Sequence, residues 1–208
     1  MEQKILSNIK WLGHSGFLIK TNQKVVCIDP YNIVDYDKAD IILITHSHYD
    51  HCSVPDINKI RTPSTIFFTE KESAKSISGD VRIVKPGDNL SVSGIEIEVV
   101  PAYNTDKPFH PKTNNWLGFV ITIENKKIYH AGDTDLIPEM GSFPVDIALL
   151  PVSGTYVMTS DEAVEAAKRI KPETAIPMHY DSIVGSLSDA LKFKKSLEGF
   201  CEVAILER

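Results

Sequence analysis

The chain has 208 residues, 42% hydrophobic and 24% charged, with a formal net charge of −6. That is enough to bury a core in one large domain or two small ones. The acidic balance argues against a nucleic-acid surface, which carries a basic excess or patch.

Short strands dominate the first two-thirds of the chain. GFLIKT (16–21) and KVVCID (24–29) flank Asn22-Gln23 and read as a hairpin. ADIILIT (39–45) is nearly all apolar, as expected of a strand covered on both faces. STIFFT (64–69), VRIV (81–84) and IEIEVV (95–100) follow, set apart by Gly, Pro and Asp. A second set begins with WLGFVITIE (116–124) and KIYHAG (127–132) around Asn125-Lys126, and continues with VDIALL (145–150). Thr159 and Glu162 form a T-x-x-E capping box, which predicts a helix through AVEAAKRI. TAIPMH (174–179) reads as another strand. A last helix over about LSDALKFKKSLEG starts at Ser186 or Ser188 and stops at Gly199.

The two sets look alike. GFLI…NQKVVCID recurs as GFVI…NKKIYHAGD, and ADIILI recurs as VDIALL a similar distance on. The repetition suggests two similar β-rich halves with helices outside. Cys27, Cys52 and Cys201 are odd in number and widely spaced, so neither a disulfide framework nor a CxxC zinc site is expected. A reducing, cytoplasmic location follows. The first sixteen residues lack an apolar core followed by a cleavage site, so no signal peptide is expected. No apolar run approaches the ~20 residues a membrane span needs.

Polar residues fall at the strand ends. Asp29 follows VVCI, His46 follows IILIT, Asp133 follows KIYHAG and His179 follows AIPM. Rigid strand ends can fix several side chains around one point. The dense part is HSHYDH, with His46, His48, Asp50 and His51 inside six positions. Imidazole and carboxylate donors suit Zn²⁺, Mn²⁺ or Fe²⁺. One ion does not need this many donors, so the density favours two. His14 lies in a Gly-flanked turn and reads as a hydrogen-bonded turn residue; His130 reads as core or as support behind the donors.

In these residues the chain resembles the metallo-β-lactamase superfamily. HSHYDH matches its H-x-H-x-D-H motif, AGDTD its later glycine-aspartate motif, MHYDS its final histidine and CIDP its early strand-terminal aspartate. WLGHSGFLI and the compact length look most like the small hydrolases related to ascorbate-phosphate lactonase. The resemblance implies an α+β fold, a four-layer αββα sandwich of two similar halves, forming one domain over residues 1–208. It implies two divalent metal ions, zinc first, with manganese or iron as alternatives. His46 and His48 would hold one ion, and Asp50, His51 and His179 the other. Asp133 would bridge them, and Asp29 would orient the histidine loop from behind.

One departure stands out. The family places a third histidine for the first ion after the middle strand, where VVPAYN here offers Asn104. His110, in KPFHPK, lies six residues on and could substitute. The expected activity is hydrolysis of a small ester or lactone, an anionic one among the candidates, by a metal-bound hydroxide, with Asp50 aiming the nucleophile. Lys107, His110 and Lys112 could meet an anionic substrate group, and Tyr156 or Tyr180 an oxyanion. The alternatives are a nucleotide phosphodiesterase on the same scaffold and a metal-binding domain without turnover. The expected partner is a small molecule, not nucleic acid or membrane; a sheet edge or the last helix could serve self-association.

Overall fold

A computed structural model describes residues 6–34 and 37–208 of the chain. Contacts divide the chain into two compact units, Met1–Val84 with Leu206–Arg208, and Lys85–Ile205. Among the described residues no helix is long and apolar enough to cross a membrane.

The first unit carries a six-stranded sheet in the order β1-β2-β3-β4-β5-β6. Its strands are β1 (Ile9–Gly13), β2 (Gly16–Lys20), β3 (Val25–Ile28), β4 (Ile41–Ile44), β5 (Ile66–Thr69) and β6 (Asp80–Ile83). The first two pairings are antiparallel and the last three parallel. The predicted hairpin is β2–β3, with Leu18 opposite Cys27. The apolar run IILI of β4 is buried throughout, because parallel neighbours on both sides leave it no solvent-facing edge. Helices α1 (Val54–Ile60) and α2 (Lys71–Ala74) follow β4 and β5. Ile57 and Ile60 of α1 pack with Ile42, Ile44, Cys27 and Phe67 in one apolar cluster.

The second unit carries seven strands in the order β13-β12-β11-β10-β9-β8-β7. They are β7 (Asn89–Val92), β8 (Ile95–Pro101), β9 (Leu117–Ile123), β10 (Lys126–His130), β11 (Ile147–Pro151), β12 (Thr174–Met178) and β13 (Glu202–Val203). Helix α3 (Ser160–Ile170) joins β11 to β12, and α4 (Leu187–Ser196) precedes β13. The capping box read from sequence closes α3: Thr159 Oγ1 accepts from Glu162 N–H at 3.2 Å, and Glu162 Oε2 accepts from Thr159 N–H at 2.7 Å. Ser186 is the residue that caps α4, which ends at Ser196, short of Gly199. A helix was expected between ADIILI and the strand led by Thr65, and α1 is that helix; strands β1, β7 and β13 and the short helix α2 were not among the elements named from sequence.

The internal repetition extends to topology and to a shared device. From β8 to β13 the pairings again run antiparallel, antiparallel, then three parallel. In the first unit Lys24 Nζ donates to Asp40 Oδ1 at 2.8 Å, while Val25 N–H donates to Asp40 Oδ2 at 2.9 Å. In the second, Lys126 Nζ donates to Asp146 Oδ1 at 2.7 Å and Lys127 N–H to Asp146 Oδ2 at 2.7 Å. The aspartate backbones repeat as well. Asp40 N–H donates to Val25 O and Asp146 N–H to Lys127 O, each at 2.9 Å. Both aspartates therefore lock a hairpin to the parallel strand that follows it. Burial raises both carboxyl pKa values, but the lysine and backbone donors outweigh it, so both sit below the usual range.

Asp56 on α1 is the corresponding anchor behind the histidine loop. Its carboxylate accepts from Asn32 N–H at 2.8 Å, Ile33 N–H at 3.2 Å, Ser53 Oγ at 2.6 Å and Lys59 Nζ at 2.7 Å. Asp56→Ala leaves these donors without their acceptor, and the expected loss is about 2–4 kcal/mol at neutral pH. Burial raises the Asp56 pKa, and Lys59, Ser53 and Asn32 more than reverse that, so the folded value lies below the unfolded one. The Asp56 contribution is therefore complete above the unfolded carboxyl value and disappears as acid protonates the folded group. Urea melts of wild type and variant should differ at pH 7 and converge below about pH 4. A gap that persists in acid would show that packing, not the carboxylate, is lost.

Candidate metal centre

In the first unit the donors follow directly from the strand ends. β4 stops at Ile44, and the chain turns so that His51 and Cys52 N–H groups donate to His48 O at 3.0 and 2.8 Å. That turn places His46, His48, Asp50 and His51 on one short loop. Asp29, one residue past β3, is fully buried and carries a positive φ of 43°. It accepts from Thr45 N–H at 2.8 Å, from the Thr45 hydroxyl at 2.6 Å and from His51 Nδ1 at 2.8 Å. Thr45 Oγ1 lies 2.9 Å from His46 Nδ1. Since the threonine proton goes to Asp29, the oxygen accepts from His46.

These bonds fix tautomers. His46 and His51 each present Nδ1 to an oxygen acceptor, so each carries its proton there and offers the Nε2 lone pair. His46 Nε2 lies 3.0 Å from His48 Nδ1. Two imidazole nitrogens at that distance suit a shared cation. His46 and His51 are buried, while His48 is partly open.

His14 was read as a turn residue, and the turn is there: its carbonyl accepts from Trp11 Nε1 at 2.9 Å. Its ring also has a second partner that sequence reasoning missed. His14 Nε2 lies 2.9 Å from Asp50 Oδ2, and His14, Asp50 and His51 bring ligand atoms within 4.8 Å of one another. His14 adopts a φ of 52°, and such left-handed backbone on non-glycine residues collects at functional sites. The signal available in sequence was a histidine in a two-residue turn between apolar strands.

In the second unit Asp133, three residues past β10, is 3% exposed. Its Oδ2 lies 3.1 Å from His179 Nε2 and 3.3 Å from His110 Nε2. His179 immediately follows β12 with a φ of 59°, and its Nδ1 is 2.9 Å from Ser153 Oγ. His110 is buried beside Trp116. Asn104 and His110, the two residues left open for one role, are both there, and they bond to each other: His110 Nδ1 is 3.0 Å from Asn104 Oδ1 and 3.2 Å from Tyr156 O. Both neighbours are acceptors, so Nδ1 bears a proton and Nε2 is the nitrogen that faces the Asp133 carboxylate. In the first unit His14, Asp50 and His51 stand at the spacing a divalent ion needs. In the second, Asp133 with His179 and His110 supplies carboxylate and imidazole ligands of the right kind, with supporting acceptors behind them.

The other residues singled out take different places. His130 is buried at the end of β10, and its Nδ1 accepts from Gly132 N–H at 3.2 Å, so it braces the turn that leads to Asp133. Lys107 and Lys112 do not stand ready for an anion. Lys107 Nζ pairs with Asp135 at 2.6 Å and Asp106 at 3.1 Å, and Lys112 Nζ with Glu139 at 3.0 Å. Tyr156 presents its ring edge-on to Phe109 at 4.7 Å. Tyr180 is buried, and burial pushes its phenol up to about 12. Cys27, Cys52 and Cys201 are free thiols, and burial pushes Cys52 up to about 11.

Strand-end imidazoles and carboxylates of this kind, on two mixed sheets of repeated topology, define a metal-dependent hydrolase of the metallo-β-lactamase fold. The Beta-lactamase superfamily domain matches residues 8–179, and the chain belongs to that superfamily. It is 31% identical to a UPF0173 metal-dependent hydrolase of Pyrococcus abyssi, over 96% of each chain. It is 35% identical to a UPF0173 metal-dependent hydrolase of Thermoplasma acidophilum, over 91% of each. Among solved structures, a Parabacteroides distasonis protein designated a metal-dependent hydrolase superposes with a TM-score of 0.86 at 32% identity, covering 96% of this chain and 93% of that one. Igni18, a metallo hydrolase of Ignicoccus hospitalis, gives 0.79 at 26% identity, covering 96% and 94%.

Proposed function

We propose that the protein hydrolyses a small, uncharged ester or lactone with two divalent cations, zinc foremost. The ligands in this reading are His46, His48 and His110 for one ion, Asp50, His51 and His179 for the other, and Asp133 for both. The single observation that carries it is the set of fixed tautomers: buried His46, His51 and His110 all present Nδ1 to oxygen and keep Nε2 for a cation. When bound, such cations supply acidified water and Lewis acidity toward a carbonyl oxygen.

The chain's own residues do the rest. Asp50 Oδ2 lies 2.9 Å from His14 Nε2; in this reading that oxygen also accepts the proton of the attacking water, and the other oxygen is the one that would hold the cation. His14 steadies that carboxylate as it takes the proton. Asp29 and Thr45 hold the histidine loop from behind. The paired lysines argue for an uncharged substrate and against a phosphodiester. Phe109, 44% exposed beside His110 and stacked edge-on against Tyr156, offers an apolar surface instead. Asn104 has work as a hydrogen-bonding residue, which weakens the case for a binding domain without turnover. The two units act as one catalytic domain in this reading, in a reducing cytoplasm that keeps its three thiols free.

The test is elemental analysis of the purified protein together with hydrolysis of a matched pair of 4-nitrophenyl esters, one neutral and one carrying a carboxylate. Wild type should hold two ions per chain and lose turnover to a chelator, and His110→Ala should hold about one. Metal-loaded wild type should prefer the neutral ester. Metal content near zero, or turnover indifferent to chelation, would overturn the reading.

A further inference from the structure

We propose that Asn104 is a positioning residue: its side-chain amide sets the tautomer and the aim of His110, so that Nε2 is delivered to a cation. The inference rests on the proposed metal-dependent reading, and it gives a physical reason for asparagine at 104.

Asn104 is 7% exposed and lies three residues beyond β8. The segment it opens closes on itself. Asn104 N–H donates to His110 O at 2.7 Å, and His110 N–H donates back to Asn104 Oδ1 at 2.9 Å. The amide's orientation is decided by its surroundings. Asn104 Nδ2 donates to Tyr156 O at 2.9 Å, whereas a flipped amide would set its NH₂ against the His110 N–H. Oδ1 therefore faces His110 and lies 3.0 Å from Nδ1, with Tyr156 O as a second acceptor at 3.2 Å. Two oxygens at Nδ1 require the proton there.

The same loop is pinned at a second point. Asp135 accepts from Thr105 N–H at 2.8 Å and from Lys107 Nζ at 2.6 Å, and Asp135 N–H donates to Tyr103 O at 2.9 Å. The stretch AGDTD thus supplies both the carboxylate that His110 faces, Asp133, and the carboxylate that holds the loop, Asp135. Only a side chain with one acceptor and one donor satisfies position 104. Aspartate keeps both bonds to His110 but opposes an oxygen to Tyr156 O. Leucine, close in volume, makes none of these bonds.

The experiment uses the full chain stripped of metal, with wild type, N104D and N104L. Two readouts are taken: zinc binding against a competing chelator, and long-range ¹H–¹⁵N spectra of the histidine rings. Wild-type His110 should be the Nδ1–H tautomer. N104L should bind zinc about 10- to 100-fold more weakly at one site and show His110 as a tautomer mixture. N104D should keep the tautomer and stay within a few-fold of wild type, the rescue that a purely structural role for the amide would not give. Wild-type zinc affinity in N104L, or an Nε2–H tautomer in wild type, would overturn the proposal. If N104L does not fold, the wild-type ring spectrum and N104D still decide it. Failure of wild type to bind zinc would sink the metal reading, while the ring spectra would still report whether Asn104 fixes His110.

Discussion

Asp29→Asn is expected to leave the protein folded yet weaken metal binding and cut turnover by about 100-fold or more. The wild-type carboxylate accepts three hydrogen bonds in a fully buried site, from Thr45 N–H, the Thr45 hydroxyl and His51 Nδ1. An asparagine can keep the first with its carbonyl oxygen. Its NH₂ then replaces Oδ2 and faces groups that were donating. His51 must give up the proton on Nδ1 and carry it on Nε2, where it blocks a ligand position. Thr45 must reverse its hydroxyl, which then donates to His46 Nδ1 and pushes that ring's proton outward too. One atom exchanged behind the loop therefore disables two imidazoles without moving the backbone. Asp29→Ala differs in kind. It strips acceptors from buried donors at about 1–3 kcal/mol each, and a loss of about 3–5 kcal/mol is a large part of a domain's stability. Urea melts separate the two variants, and zinc titration with histidine ring spectra shows the proton rearrangement in D29N. Wild-type zinc binding by D29N would mean that Asp29 does not set the tautomers.

What could be read in the sequence follows from how locally each feature is encoded. HSHYDH stood out because six consecutive residues gather three imidazoles and a carboxylate at the end of a buried strand. The Thr159–Glu162 capping box was legible because its two partners are three residues apart. The repeat was legible in GFLI and GFVI, and the structure extends it to Asp40 and Asp146, whose shared bonds no local pattern showed. Strands β1, β7 and β13 passed unnamed: β13 has two residues, and β7 is a half-exposed edge with mixed polarity. The remaining misses are tertiary. His14 reaches Asp50 across 36 positions, and Asn104 reaches Tyr156 across 52. The charges of Lys107 and Lys112 looked available because Asp135 and Glu139, 28 and 27 residues away, come close only on folding.

Asp133→Ala should abolish turnover, by on the order of 10³-fold or more, and destabilise the metal-loaded protein more than the stripped one. The buried Asp133 carboxylate lies 3.3 Å from His110 Nε2 and 3.1 Å from His179 Nε2. Removing the carboxylate takes the acceptor away from these buried ring nitrogens, so stripped D133A should melt below stripped wild type, by about 1–3 kcal/mol. A cation widens the gap, because the same oxygens and nitrogens then converge on positive charge. At 100 to 1,000 times its Kd, zinc should stabilise wild type by about 3–4 kcal/mol. D133A, lacking a ligand that serves both ions in the proposed set, should gain much less and fall further below wild type once zinc is present. Thermal melts of both proteins across a zinc titration would show the two curves diverging. Parallel curves, with D133A stabilised as strongly as wild type, would remove Asp133 from the ligands and leave it as a structural carboxylate.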